Sequence, residues 1–194
     1  MSPEIASLLD RIRALEVELE AEMARRRAEL RVGLERGRIV FEQEILRRHR
    51  ELKTRLSTYV LRANPMIVLT APVIYAGIVP FALLDLFVTV YQFVCFPAYG
   101  IARVRRSDYL IFDRQHLAYL NAIEKPNCAY CSYGNGVIAY AREIAARTEQ
   151  YWCPIKHARR AIGTHDLYPK FADYGDGDAY RNPVAGRDDD PKPG

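Results

Sequence analysis

At 194 residues the chain is long enough for one or two small domains. Its formal net charge of +4 averages unlike regions: residues 1–62 are dense in charge, residues 63–102 carry only Asp85, and residues 173–194 are polar, acidic and rich in Gly and Pro. Forty consecutive residues with one charge exclude an ordinary soluble domain, so a membrane-attached protein is the first expectation.

The opening MSPEIASLLDRIRALE mixes acids and arginines and has no apolar core or small-residue cleavage site, so it reads as an unprocessed, cytosolic start. Ser2 and Pro3 suit a helix N-cap followed by proline at the first helical position. Ile5, Leu8, Ile12, Leu15 and Leu19 then step by three and four, the narrow apolar seam of a coiled-coil helix. Glu22 and Arg26 end the seam. A looser stripe, Leu30, Leu34, Phe41, Ile45 and Leu52, is interrupted by Gly33 and Gly37. One long helix, or two, is expected over residues 4–60. The seam predicts self-association or a protein partner, beside the plainer reading of a helix packed on its own chain.

Arginine clusters at 25–27 and 47–50 are interleaved with Glu16, Glu18, Glu20, Glu22, Glu42, Glu44 and Glu51, which would repel phosphates, so no nucleic acid is expected as a partner. The basic residues nearest the apolar segment, Arg47, Arg48, Arg50, Lys53, Arg55 and Arg62, suit the anionic headgroups of a lipid bilayer.

As one straight helix, residues 63–102 would reach roughly 60 Å, about twice the hydrocarbon thickness. Two spans fit instead, over about 66–84 and 86–102, with Asp85 in the headgroups at the tip of a hairpin. A re-entrant loop, broken at Pro72, Gly77 and Pro80, is the equivalent alternative. One span followed by an interfacial helix is the rival. Positive residues on both flanks (Lys53, Arg55 and Arg62; Arg103, Arg105 and Arg106) predict that both ends face the cytosol, as in a bacterial inner-membrane protein.

Residues 106–125 place Leu110, Leu117, Leu120 and Ile123 at helical spacing, with Pro126 as the stop. The densest chemistry follows: Cys128-Ala-Tyr-Cys131, then Cys153-Pro-Ile-Lys-His157. Two cysteines separated by two residues can both reach one cation from a tight turn, and Cys153 and His157 would share one face of a helix. Together Cys128, Cys131, Cys153 and His157 make a closed set of three sulfurs and one nitrogen, suited to structural zinc and leaving no coordination place for a catalytic water. The spacing requires Ser132-Tyr133-Gly134-Asn135-Gly136 to turn tightly, with residues 137–140 as a strand and 141–152 as a helix. Iron at the same ligands, or a redox thiol pair at the CxxC, stays open.

That arrangement resembles the knuckle, hairpin and helix of treble-clef zinc modules over about thirty residues, though it has no glycine directly after the knuckle. The run YLNAIEKPNCAYCSYGNG…REIAARTEQYWCPIKHA resembles segments of uncharacterised bacterial membrane proteins that join an apolar hairpin to a cysteine/histidine module. The resemblance covers about residues 66–160 and implies architecture without an activity.

The sequence as a whole reads as mainly α, in four parts: a charged helical, coiled-coil region (1–62), a membrane hairpin or re-entrant segment (63–102), a cytosol-facing, metal-stapled Cys/His domain (103–172) and a disordered acidic tail (173–194). Nucleotide loops, nucleophile elbows and metalloprotease helices are absent from the sequence. A membrane-anchored, non-catalytic scaffold or adaptor with a zinc module is the leading expectation. The alternatives are a membrane-bound redox or electron-transfer protein and an enzyme using Asp85 on a lipid-soluble substrate.

Overall fold

In a computed structural model the described residues are 3–29, 32–35, 38–41 and 43–182. The chain is mainly helical. Its elements are α1 (Pro3–Glu29), a hairpin of β1 (Val32–Glu35) and β2 (Arg38–Phe41), α2 (Gln43–Glu51), α3 (Leu56–Leu61), α4 (Pro65–Ala76), α5 (Ile78–Tyr99), α6 (Glu124–Trp152) and α7 (Gly177–Arg181). They form two compact units, one of residues up to Leu69 with Phe112–Ala129, the other of Thr70–Ile111 with everything from Tyr130 onward.

In the first unit, the one or two helices expected over residues 4–60 are interrupted after Glu29. The antiparallel hairpin follows, with Val32 opposite Phe41 and Glu35 opposite Arg38. The physical reason lies in Val32, Ile39, Val40 and Phe41, β-branched and aromatic residues, with glycines that weaken a helix at 33 and 37. On α1, Leu8, Ile12, Leu15 and Leu19 are all more than half exposed. Asn64 caps α4 by accepting from the Met66 N–H at 2.9 Å, with Pro65 at the first helical position.

Residues 106–125 also depart from the single helix expected there. Leu110, Leu117, Leu120 and Ile123 share no helix, and only two short 3-10 turns, Arg106–Asp108 and Arg114–His116, occur there. Instead a helix begins where one was expected to stop. The buried Asn121 accepts from the N–H groups of Ile123 and Glu124 at 2.9 and 3.0 Å, while the Glu124 carboxylate accepts from the Asn121 N–H at 2.8 Å. This reciprocal box satisfies N–H groups that the first turn leaves without partners. Pro126 falls in that same turn, where no intrahelical N–H is needed.

The second unit is built on α5 and α6, which run parallel. Phe81 approaches Gly134, Asp85 meets Tyr133, Gln92 meets Tyr140, and Tyr99 packs on Tyr151 and Trp152. Between them lies a core of Val88, Phe96, Ile101, Val104, Leu110, Val137, Tyr140 and Ile144. Gly100 ends α5 at φ +69°, a left-handed conformation suited to glycine, and the Ile101 N–H returns to the Phe96 carbonyl at 2.9 Å. Beyond α6, residues 153–173 double back as a strap. Ile155 bridges Ala172 in parallel, Lys156 pairs with Asp173 at 2.8 Å, and His165 reaches Glu149 at 2.9 Å.

Two further expectations meet a different structure. The tight turn at residues 132–136 and the strand after it do not form, because α6 runs unbroken from Glu124 to Trp152. The expected disordered tail begins with order: Asp176 caps α7 by accepting from the Ala179 N–H at 2.9 Å. Residues 183–194 of that tail lie outside the described residues.

Candidate functional site

A helix long and apolar enough to cross a membrane is present: α4 and α5 together span Pro65–Tyr99. They meet at Gly77, whose N–H bonds to the Ile74 carbonyl at 3.1 Å. Tyr130 donates its hydroxyl to the same carbonyl at 2.5 Å, and a β-carbon at Gly77 would collide with that hydroxyl. The turn expected at Asp85 is not there. Asp85 sits inside α5, consistent with FALLDLF having no Gly, Pro or Asn and only the one Asp among apolar residues.

One face of α5 is polar and closed. Asp85, Val88, Gln92 and Phe96 step by three and four along it, and all four are buried. The Arg106 guanidinium grips Asp85 through two parallel bonds, Nε to Oδ1 at 2.9 Å and a terminal nitrogen to Oδ2 at 2.6 Å. That forked geometry is the strong form of a charge-assisted bond. Tyr133 donates to Oδ2 at 3.0 Å. Burial, then the bond to Asp85, pushes the Tyr133 hydroxyl up, which keeps it protonated and donating.

Two turns on, Gln92 uses its side-chain amide as a backbone would. Its oxygen accepts from the Val104 N–H at 2.9 Å, and its nitrogen donates to the Val104 carbonyl at 3.3 Å and to the Tyr140 hydroxyl. The loop after α5 is thereby tied back to the helix it left. Tyr91 and Thr148 share a further hydroxyl contact at 3.2 Å.

Sequence reading singled out Asp85 alone on this face. Gln92 lies seven residues later, two helical turns, and that spacing in an otherwise apolar helix was the available signal. Arg106 entered only as a positive flank, Tyr133 only as part of the expected tight turn, and Tyr140 only as the last residue of the expected strand. Both Asp85 oxygens accept bonds from within the chain. The cluster fastens α5 to α6 and to the loop that follows α5.

The opposite face of α5 is apolar and uncovered. Leu83, Leu86, Phe87, Val90, Phe93 and Val94 are each more than half exposed.

The four predicted metal ligands are not brought together. Cys128 and Cys131 lie one turn apart on α6, half-buried and exposed respectively. Cys153 follows the helix end, exposed, with its N–H on the Glu149 carbonyl at 2.8 Å. His157 lies in the strap, where its N–H donates to the Tyr168 hydroxyl at 2.7 Å and its ring stacks on Tyr168. Since α6 continues from Cys131 to Trp152, about 32 Å of helix separates Cys131 from Cys153. Zinc holds each thiolate at about 2.3 Å, so with α6 continuous the two pairs do not meet at one ion in this structure. Among the described residues no three His, Cys, Asp or Glu side chains converge on a metal-sized point. Elemental analysis is therefore expected to find the same metal content in the wild-type chain and a Cys153→Ser/His157→Ala variant. Zinc lost in the variant would show that the four residues do make one site.

Comparison with family models, curated proteins and solved structures finds no match to the chain.

Proposed function

We propose that the chain is a membrane-anchored, non-catalytic scaffold that inserts α4 and the uncovered face of α5 into lipid and holds its polar parts on the cytosolic side. The observation that carries this reading is the two-sided character of α5. One face is buried against the chain's own Arg106, Tyr133 and Tyr140, while the other presents an exposed apolar strip.

The position of α6 favours a re-entrant or surface-lying segment over a hairpin. It accompanies α5 and carries Arg142, Glu143, Arg147 and Glu149 on its later turns. Charged side chains at the centre of a bilayer cost about 2.5–3.5 kcal/mol each even on the mildest scale, so α6 belongs on the water side. The flanking arginines argue for the same side for both termini. The exposed Arg47, Arg48 and Arg50 of α2, with Lys53, Arg55 and Arg62, would add about 1 kcal/mol each of attraction to an anionic surface.

The test is extraction of membranes at alkaline pH. The wild-type chain is expected to stay in the pellet, and a Phe87→Asp/Val90→Asp variant to move largely into the supernatant. Both positions are already exposed, so the change leaves the α5–α6 packing intact. A wild-type chain released by the alkaline wash, or a variant retained as firmly, would overturn the anchor.

A further inference from the structure

The 27 residues of α1 carry a seam that nothing among the described residues covers, since Leu8, Ile12, Leu15 and Leu19 are 57, 51, 61 and 60% exposed. The residue types along it are specific. Counting heptads from Ile5 places Ile5, Ile12 and Leu19 at the a positions and Leu8 and Leu15 at d. Isoleucine at the first two a positions, with leucine at both d positions, is the choice that favours two parallel strands.

Charge points the same way. Arg11 falls at a g position and Glu16 at the following e. In a parallel pair, g of one helix faces the next e of its partner, so Arg11 of each copy meets Glu16 of the other, twice across the symmetry axis. An antiparallel pair loses this match, because g then faces g and e faces e. Arg13, by contrast, already pairs within its helix with Asp10 at 3.1 Å, outside the seam.

The seam also has a defined end. Glu22 and Arg26 occupy the next d and a positions, and Glu22 is held by Arg25 at 2.7 Å and by Arg26 at 3.5 Å. Ion pairing with Arg25 holds the Glu22 carboxyl below the usual range, so it stays charged and closes the apolar strip.

We propose that the partner of α1 is a second copy of this chain, in a parallel two-stranded coiled coil over residues 5–19 with Arg11–Glu16 pairs crossing the interface. The inference rests on the anchor reading in one respect. A seam of about two heptads is short for association in free solution. Two copies inserted the same way round in one membrane start with their α1 helices on the same side at raised local concentration.

The experiment uses the full chain in phosphatidylcholine vesicles, with donor and acceptor dyes on the N-termini of separate copies. Energy transfer is followed as protein is diluted in lipid. Wild type is expected to show transfer that falls on dilution, and Ile12→Asp to shift the half-point by about a hundredfold. Arg11→Glu and Glu16→Arg should each shift it about five- to tenfold, and the two together should return to within about twofold of wild type.

No transfer from wild type, or transfer indifferent to Ile12→Asp, overturns the dimer while leaving the anchor standing. Loss in Ile12→Asp without restoration by the double charge exchange overturns the parallel register. A chain that fails to sediment with the vesicles overturns the anchor instead, and the same dye series in solution then decides the dimer.

Discussion

Replacing Arg106 by alanine is expected to be among the most damaging single changes in the chain. Asp85 is 8% exposed inside α5 and has its charge met by Arg106, with Tyr133 and Thr89 as neutral partners. Removing one member of a buried ion pair costs about 3–5 kcal/mol, mostly because the remaining charge is left without compensation. Here the Arg106 side chain is 47% exposed, so water partly replaces it and about 2–3 kcal/mol is the expected loss.

The comparison that isolates the cause is Asp85→Asn, which keeps hydrogen-bonding capacity and removes the stranded charge, and should cost only about 1 kcal/mol. Combined with Arg106→Ala it should cost less than Arg106→Ala alone, a sign reversal that simple loss of packing cannot produce. Chemical unfolding in detergent, followed by helix signal, reads all three. Equal stability of Arg106→Ala and wild type would mean that the fork does not form in solution.

The second large effect is expected at Gly136. A β-carbon built there would lie 2.7 Å from the Tyr109 carbonyl oxygen and 3.3 Å from the Leu110 α-carbon. Both are main-chain atoms, so the loop itself must move. Overpacking costs about 1–3 kcal/mol, against which alanine recovers nearly 1 kcal/mol of helix propensity. Gly136→Ala should thus be mildly destabilising, and Gly136→Val, with two more methyl groups and no such propensity gain, should lose about 3 kcal/mol or more.

For a chain of this size that loss corresponds to a fall in Tm of roughly 6–12 °C. Gly134 is the instructive neighbour. Its added β-carbon would meet the Phe81 ring at 2.8 Å, a side chain that can turn aside, so Gly134→Ala should cost less than Gly136→Val. Gly177, with open space around it, should tolerate alanine within about 0.5 kcal/mol. A Tm for Gly136→Val equal to wild type would show that the loop at 109–110 does not lie on α6.

These glycines also explain why the sequence misled around the cysteines. Ser132-Tyr133-Gly134-Asn135-Gly136 has the composition of a tight turn, and local chemistry supports that reading. The structure uses Gly134 and Gly136 for close packing inside a helix, where Phe81 and the 109–110 loop need the space a side chain would fill. Nothing local distinguishes a glycine that bends the chain from one that admits a neighbour. With the turn absent, the structure leaves Cys128 and Cys131 a helix length away from Cys153 and His157, whose joint spacing required the chain to double back there.

Asp85 misled for a related reason. Length arithmetic asked for a break near the middle of forty apolar residues, and its only charge was the natural place. Its true partner, Arg106, is 21 residues away and reachable only once the chain reverses at Gly100. By contrast, the α1 helix and the apolar character of residues 65–99 rest on periodicity and composition, which a sequence displays directly. The capping box of α6 was also legible as Asn-x-x-Glu, but the proline after it drew the opposite inference.

The parallel course of α5 and α6 has a consequence for the shape of the bilayer itself. With one side of α5 occupied by its own protein, acyl chains can reach only the remaining arc of its circumference. If α5 lies in the surface as proposed, a helix of 22 residues, about 33 Å long, that meets lipid along one arc would displace material from a single leaflet. Such a wedge enlarges one monolayer relative to the other, and the mismatch is relieved where the surface already bulges toward the protein and headgroups are spread apart. Seated that way, the chain would gather on tightly curved membrane and stay sparse on flat sheets of the same composition.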